Sequence, residues 1–124
     1  MAAGVKFAQG DILIERVFVS VDHRMKAVVE PDPDGVVVLG RGERSGHRHA
    51  VHGNANLYRL VNPGHQQTRM PDELYVGHLV VRDRKGAVVR HEEHAPIALR
   101  PGTYRIRRQR VFTARQARVQ LVRD

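Results

Sequence analysis

Pro101-Gly102-Thr103-Tyr104-Arg105-Ile106-Arg107-Arg108-Gln109-Arg110 is the stretch on which the reading of the fold turns. Proline presets its own φ, and glycine takes backbone conformations closed to other residues, so the Pro-Gly pair marks a turn. The residues after it read as a strand, whose side chains point alternately to opposite faces. Arg105, Arg107 and Gln109 then share one face, and Tyr104, Ile106, Arg108 and Arg110 share the other.

The same grammar runs through the rest of the chain. Turn signals recur at Gly10-Asp11, Pro31 to Gly35, Gly40 to Gly46, Gly53-Asn54, Asn62-Pro63-Gly64, Pro71-Asp72 and Lys85-Gly86. Between them lie short β-rich runs, which predict strands near 11–20, 24–29, 35–39, 48–52, 56–61, 74–82, 87–91, 97–99 and 103–112. Many short strands at this spacing predict an all-β, single-domain antiparallel barrel or sandwich. Residues 62–71 lack an apolar pattern and read as a loop. In the final stretch Thr113 is expected to cap a short helix carrying Ala117, Leu121 and Val122 inward. The alternation of Ala117, Val119 and Leu121 equally supports a last strand.

Composition agrees. At 124 residues with 41% hydrophobic side chains, the chain is one domain with a real core rather than a disordered segment. Aromatic residues are only 5% and tryptophan is absent, so valine, leucine, isoleucine and alanine must build that core. Valine dominates and suits pleated sheet. There is no cysteine, which excludes disulfides and thiolate metal sites. The first residues, Met1 to Phe7, contain no long apolar run. Neither a signal peptide nor a membrane span is expected, and the expected location is cytoplasmic. Exposed strand edges would be natural contacts for a homodimer.

Charge is uneven. The formal net charge is +8. Residues 1–99 carry 13 basic and 12 acidic side chains, whereas residues 100–124 carry eight arginines and one aspartate. This basic C-terminal segment of the same domain suggests a polyanionic partner, most simply nucleic acid. Arg105, Arg107, Arg108 and Arg110 are the candidate contacts. Side chains on one face of a strand stand ~6.6–6.8 Å apart, close to the phosphate repeat of a nucleic-acid strand. The competing reading pairs these arginines with Asp22, Glu30, Asp32 or Asp34. No recognition helix, zinc finger or RNA-binding aromatic motif accompanies them.

Five of the eight histidines fall in two clusters, Gly46-His47-Arg48-His49-Ala50-Val51-His52 and His91-Glu92-Glu93-His94. Imidazole is the commonest protein ligand of transition metals. His47 and His49, two apart on a strand, share a face, while His52 points away. His91 and His94 can converge around a turn. If the clusters meet, His47, His49, His91 and His94 form a nitrogen-rich site for a divalent metal such as Zn, Mn, Fe or Ni. Glu92 or Glu93 would serve as a further ligand, as a partner orienting an imidazole, or as a general base.

The Gly46-His47-Arg48-His49 segment, with its His-x-His pair, followed by Leu99-Arg100-Pro101-Gly102-Thr103-Tyr104 resembles the cupins. That resemblance implies a β-barrel enclosing one metal, with His47 and His49 matching the first ligand pair. The chain departs from the pattern in two places. No glutamate follows His49 at the family's spacing, and no histidine follows Pro101-Gly102. His91 and His94 would supply ligands from another strand end. The chain also resembles small bacterial proteins that carry a Gly-His-x-His segment, then His-Glu-Glu-His and an arginine-rich strand. That likeness implies no activity.

Two expectations follow. One is a small metal-binding β protein, with metal-assisted hydrolysis of an anionic substrate as its simplest chemistry. The other is a binding module that holds nucleic acid or another polyanion through its C-terminal arginines. Serine and cysteine nucleophile triads and glycine-rich phosphate loops have no counterpart in the sequence.

Overall fold

The computed structural model describes residues 5–19, 21, 26–42, 45–60 and 74–109. Among these residues the architecture is carried by ten strands, and no α-helix occurs. In chain order they are β1 (Lys6–Gln9), β2 (Ile12–Val17), β3 (Lys26–Val28), β4 (Val37–Arg41), β5 (Arg48–His52), β6 (Ala55–Leu60), β7 (Tyr75–Val81), β8 (Ala87–Arg90), β9 (Ile97–Leu99) and β10 (Gly102–Arg108). They form a six-stranded sheet, β1-β2-β10-β7-β6-β3, and a four-stranded sheet, β4-β5-β8-β9. All pairings are antiparallel.

The expected all-β antiparallel fold is therefore present. Its described pairings make two sheets rather than one closed ring. The stretch that begins at Pro101-Gly102 lies inside the larger sheet: Thr103 to Arg108 face Val17 to Ile12 on one side, and β7 lies on the other. Its alternation holds, with Tyr104 and Ile106 buried and Arg105 and Arg107 half-buried on the opposite face.

The core is the layer between the sheets. Ile12, Ile14, Leu57, Leu79, Tyr104 and Ile106 from the larger sheet meet Val37, Leu39, Val51, Val89 and Leu99 from the smaller. Each aliphatic side chain fully buried here contributes about 1.5–3 kcal/mol. Period-2 alternation decides which residues belong: in β8, Ala87 and Val89 are buried, while Arg90 is exposed. A bulge between Ile106 and Arg107 against β7 sets Tyr75 opposite Arg107.

Several boundaries differ from expectation. The first long strand ends at Val17, and Phe18 and Val19 are exposed. A further strand, β1, precedes it; with only four residues and a buried glutamine at its end, it carries little apolar signal. The Gly10-Asp11 turn joins β1 to β2 in a two-residue hairpin loop. Gly10 takes φ 59°, a left-handed conformation costly for other L residues. The loop expected at 62–71 and the helix expected from Thr113 lie outside the described residues, as does Arg110.

Candidate metal centre

The two histidine segments meet at one end of the core layer. In β5, His49 and Val51 are buried, and Val51 belongs to the core. The antiparallel ladder sets Val51 opposite Val89 and Ala50 opposite Arg90. One step further along that ladder stand His49 and His91, with ring centroids 4.3 Å apart. His47 meets His91 edge-on at 5.7 Å. His94 lies 4.6 Å from His91 and parallel to His49 at 6.4 Å. Gly40 pairs with His49, and a Cβ there would sit 3.0 Å from Ile12 Cδ1 and 3.6 Å from His49 Cδ2. A side chain at Gly40 would thus crowd Ile12 and make only ordinary contact with the imidazole.

His47, His91 and Glu92 each offer one ligand atom, and these atoms lie within 4.8 Å of one another. Glu92 accepts a hydrogen bond from the Arg48 backbone N–H at 3.0 Å. That bond lowers its carboxyl pKa and ties the start of β5 to the 91–94 segment. His47 Nδ1 is buried without a hydrogen-bond partner, 3.5 Å from Glu93 Oε2. His91 Nδ1 accepts from the Glu93 N–H at 3.0 Å. A neutral His91 thus carries its proton on Nε2; to ligate, it must release either that proton or the amide contact. Desolvation by burial lowers the His91 pKa, with smaller effects from His49 and His94, and so favours the uncharged ring that a metal needs.

His49 is gripped from both sides. Gln9, only 2% exposed, donates from Nε2 to the Val89 carbonyl at 3.1 Å and to the Ala95 carbonyl at 2.9 Å. Its Oε1 therefore faces His49 Nδ1, at 2.8 Å, as an acceptor. His49 Nδ1 must then carry the hydrogen, which leaves Nε2 as the ligating atom of a neutral ring. Nε2 faces Asp11 Oδ1 at 3.3 Å. A lone pair does not face a carboxylate stably unless a proton or a cation lies between them. The contact with His49 also holds the Asp11 carboxyl below its ordinary pKa. Gly10 closes the side of this group: a Cβ there would lie 2.8 Å from His94 Nε2 and 3.3 Å from His49 Cε1.

Arg48 does not oppose a cation here. Its guanidinium pairs with Asp32 at 2.8 Å and with Asp34. These carboxylates raise its pKa further, Asp34 most, and the same contact lowers that of Asp34. His52 is exposed and lies outside the group, in keeping with its position on the strand.

The sequence-predicted residues thus divide. His47, His49, His91, His94, Glu92 and Glu93 come together. Arg105 and Arg107 do not join them; they lie on the outer face of the six-stranded sheet and meet Glu15. Arg105 Nη2 and Arg107 Nε each lie 3.2 Å from Glu15 Oε1, and Lys6 Nζ lies 3.6 Å from Oε2. Glu15 was not among the acidic partners expected for these arginines. Arg108 is exposed at the end of β10. Sequence reasoning missed Gln9 and Asp11. Gly10-Asp11 was legible only as a turn, and nothing distinguishes a buried glutamine at a strand end from a solvated one.

Fold and site together define a two-sheet all-β protein with a partly exposed cluster of imidazoles and carboxylates gathered around the buried His49. A family model for a domain of unknown function, DUF8820, matches residues 8–109, and the chain belongs to that family. No curated protein and no solved structure matches it.

Proposed function

We propose that this protein binds a divalent transition metal at the histidine cluster and uses it in hydrolysis of an anionic substrate. The observation that carries this reading is the convergence of His47, His91 and Glu92, from two distant segments, to within 4.8 Å. The oriented His49 and its Asp11 neighbour add support, because an imidazole held through Nδ1–H is the usual posture of a metal-bound histidine. An all-nitrogen-and-oxygen donor set suits Zn, Mn, Fe or Ni. A bound ion would supply an activated water. Glu93 is the carboxylate placed to accept its proton: it is exposed, close to His47, and not engaged with Arg48 as Glu92 is. The cupin likeness would survive only in the His47–His49 pair, since the other donors come from the 91–94 segment and the Gly10-Asp11 turn.

The polyanion reading has less support among the described residues, because Glu15 already opposes Arg105 and Arg107.

Elemental analysis by plasma mass spectrometry, on protein incubated with Zn, Mn, Fe and Ni and then desalted, tests the proposal. The expected result is about one ion per chain in the native protein and none in His47→Ala or His91→Ala. Failure to retain any of the four metals overturns the reading, and with it the hydrolytic chemistry.

A further inference from the structure

Two arginines extend core-facing series at one end of the described sandwich. In β6 the core-facing series is Ala55, Leu57 and then Arg59; Ala55 and Leu57 belong to the hydrophobic core. In β10 it is Tyr104, Ile106 and then Arg108, with Arg108 paired to the buried Ile12. Both series run apolar until their last member. Both arginines are exposed, so their charged ends stand at the rim of the space between the sheets, where an anion can reach them.

Between these two side chains the sheets part to leave a pocket of about 410 Å3. Its walls are Val29, Val38, Leu39, Leu57 and Val76, with Tyr75 beside them. The Tyr75 hydroxyl is hydrogen-bonded to His78 Nδ1 at 2.7 Å, so an apolar ring is what Tyr75 has to offer. Arg59 and Arg108 are the charged members, and no acidic side chain is among the described residues that line it. Small-molecule pockets run from roughly 300 to 1,000 Å3, mostly apolar with a few convergent polar groups. This one has that size, with a lining shared between apolar side chains and the two guanidiniums, both charges of one sign.

We infer that the pocket between β4 and the β6–β7–β10 face binds a small amphipathic carboxylate, its apolar body against the valines and leucines and its carboxylate between Arg59 and Arg108. Guanidinium suits this role, because its planar fork engages a carboxylate through two parallel N–H donors. None of the four clustered histidines lines the pocket, so the inference is independent of the metal reading.

The test is calorimetric titration of the full chain, stripped of metal by chelation, with octanoate, octan-1-ol and acetate. Octanoate is expected to bind saturably, and octan-1-ol and acetate at least about 10-fold more weakly, since one lacks the charge and the other the apolar body. Arg59→Gln and Arg108→Gln, both at exposed positions, are each expected to weaken octanoate about 10-fold and leave the melting temperature near that of the native chain. Val76→Trp, which fills the pocket, should abolish binding. In the native protein, amide shifts on octanoate addition should centre on Val38, Leu57 and Val76. Equal affinity for octanoate and octan-1-ol, no saturable binding, or shifts centred elsewhere overturns the inference, whether or not the chain binds metal.

Discussion

Gln9 holds His49 by a 2.8 Å contact between Oε1 and Nδ1, and it can do so because its own amide hydrogens are committed to the Val89 and Ala95 carbonyls. The amide cannot flip without setting its NH2 against the ring's proton and its oxygen against two carbonyls. One buried glutamine thus determines which nitrogen of His49 is available.

Substitution of Gln9 should therefore be felt twice. Gln9→Leu leaves the Val89 and Ala95 carbonyls and His49 Nδ1 without their partner, and is expected to cost about 1–3 kcal/mol of stability. It also frees the His49 ring, and metal affinity is expected to fall about 10–100-fold. Chemical denaturation and competition titration against a metal-sensitive dye read the two effects separately. Unchanged metal affinity in a folded Gln9→Leu protein would show that His49 is not held for a ligand.

Gly10 tests the same wall from the other side. Gly10→Ala places a methyl at φ 59°, costing about 1–2 kcal/mol in the left-handed region. The new carbon also lies 2.8 Å from His94 Nε2 and must displace that ring. A lowered melting temperature with weakened metal binding is expected. Gly35→Ala, also at positive φ but with nothing near its Cβ, should cost stability alone.

Acid should destabilise the fold in two stages. The His91 pKa is lowered from its ordinary 6.5, so the unfolded chain takes up a proton before the folded one. Stability from this residue is fully present above about pH 6.5 and is lost as pH falls from there through the lowered folded value. Glu92 and Asp11 are lowered from 4.5 and 3.8, so their contributions are lost in a second, more acidic range. Urea midpoints of the metal-free protein across this range should show both stages, and His91→Gln should remove the upper one. A midpoint already flat in the upper window in the native chain contradicts the assignment.

Glu15→Ala separates the two faces of the larger sheet. Glu15 is 6% exposed and faces Lys6, Arg105 and Arg107. Removing it leaves two half-buried guanidiniums opposed by no carboxylate at that position, a loss of about 1–3 kcal/mol after allowing for their access to water. It also frees their charge, so heparin affinity should rise and become more salt-dependent. Metal binding should not change, because Glu15 lies on the face away from the core.

The all-β class, most strand positions and the two clusters of histidines were legible along the chain. Those properties are local: turn residues break the chain where backbone sterics require it, and alternation sorts neighbours onto two faces. His47 and His49 sharing a face, and His52 leaving it, follow from a period of two residues. Three things required the tertiary structure. Whether His47 and His91 would meet depended on β5 pairing with β8 in a register that carries Val51 to Val89. The partner of Arg105 and Arg107 was settled by β10 lying beside β2, which brings Glu15 opposite Arg105. Gln9 and Asp11 became site residues only because the β1–β2 hairpin packs its turn against His49 and His94. Register and sheet order arise from burying one common core, a free energy summed over the whole molecule, and no single stretch of the sequence contains it.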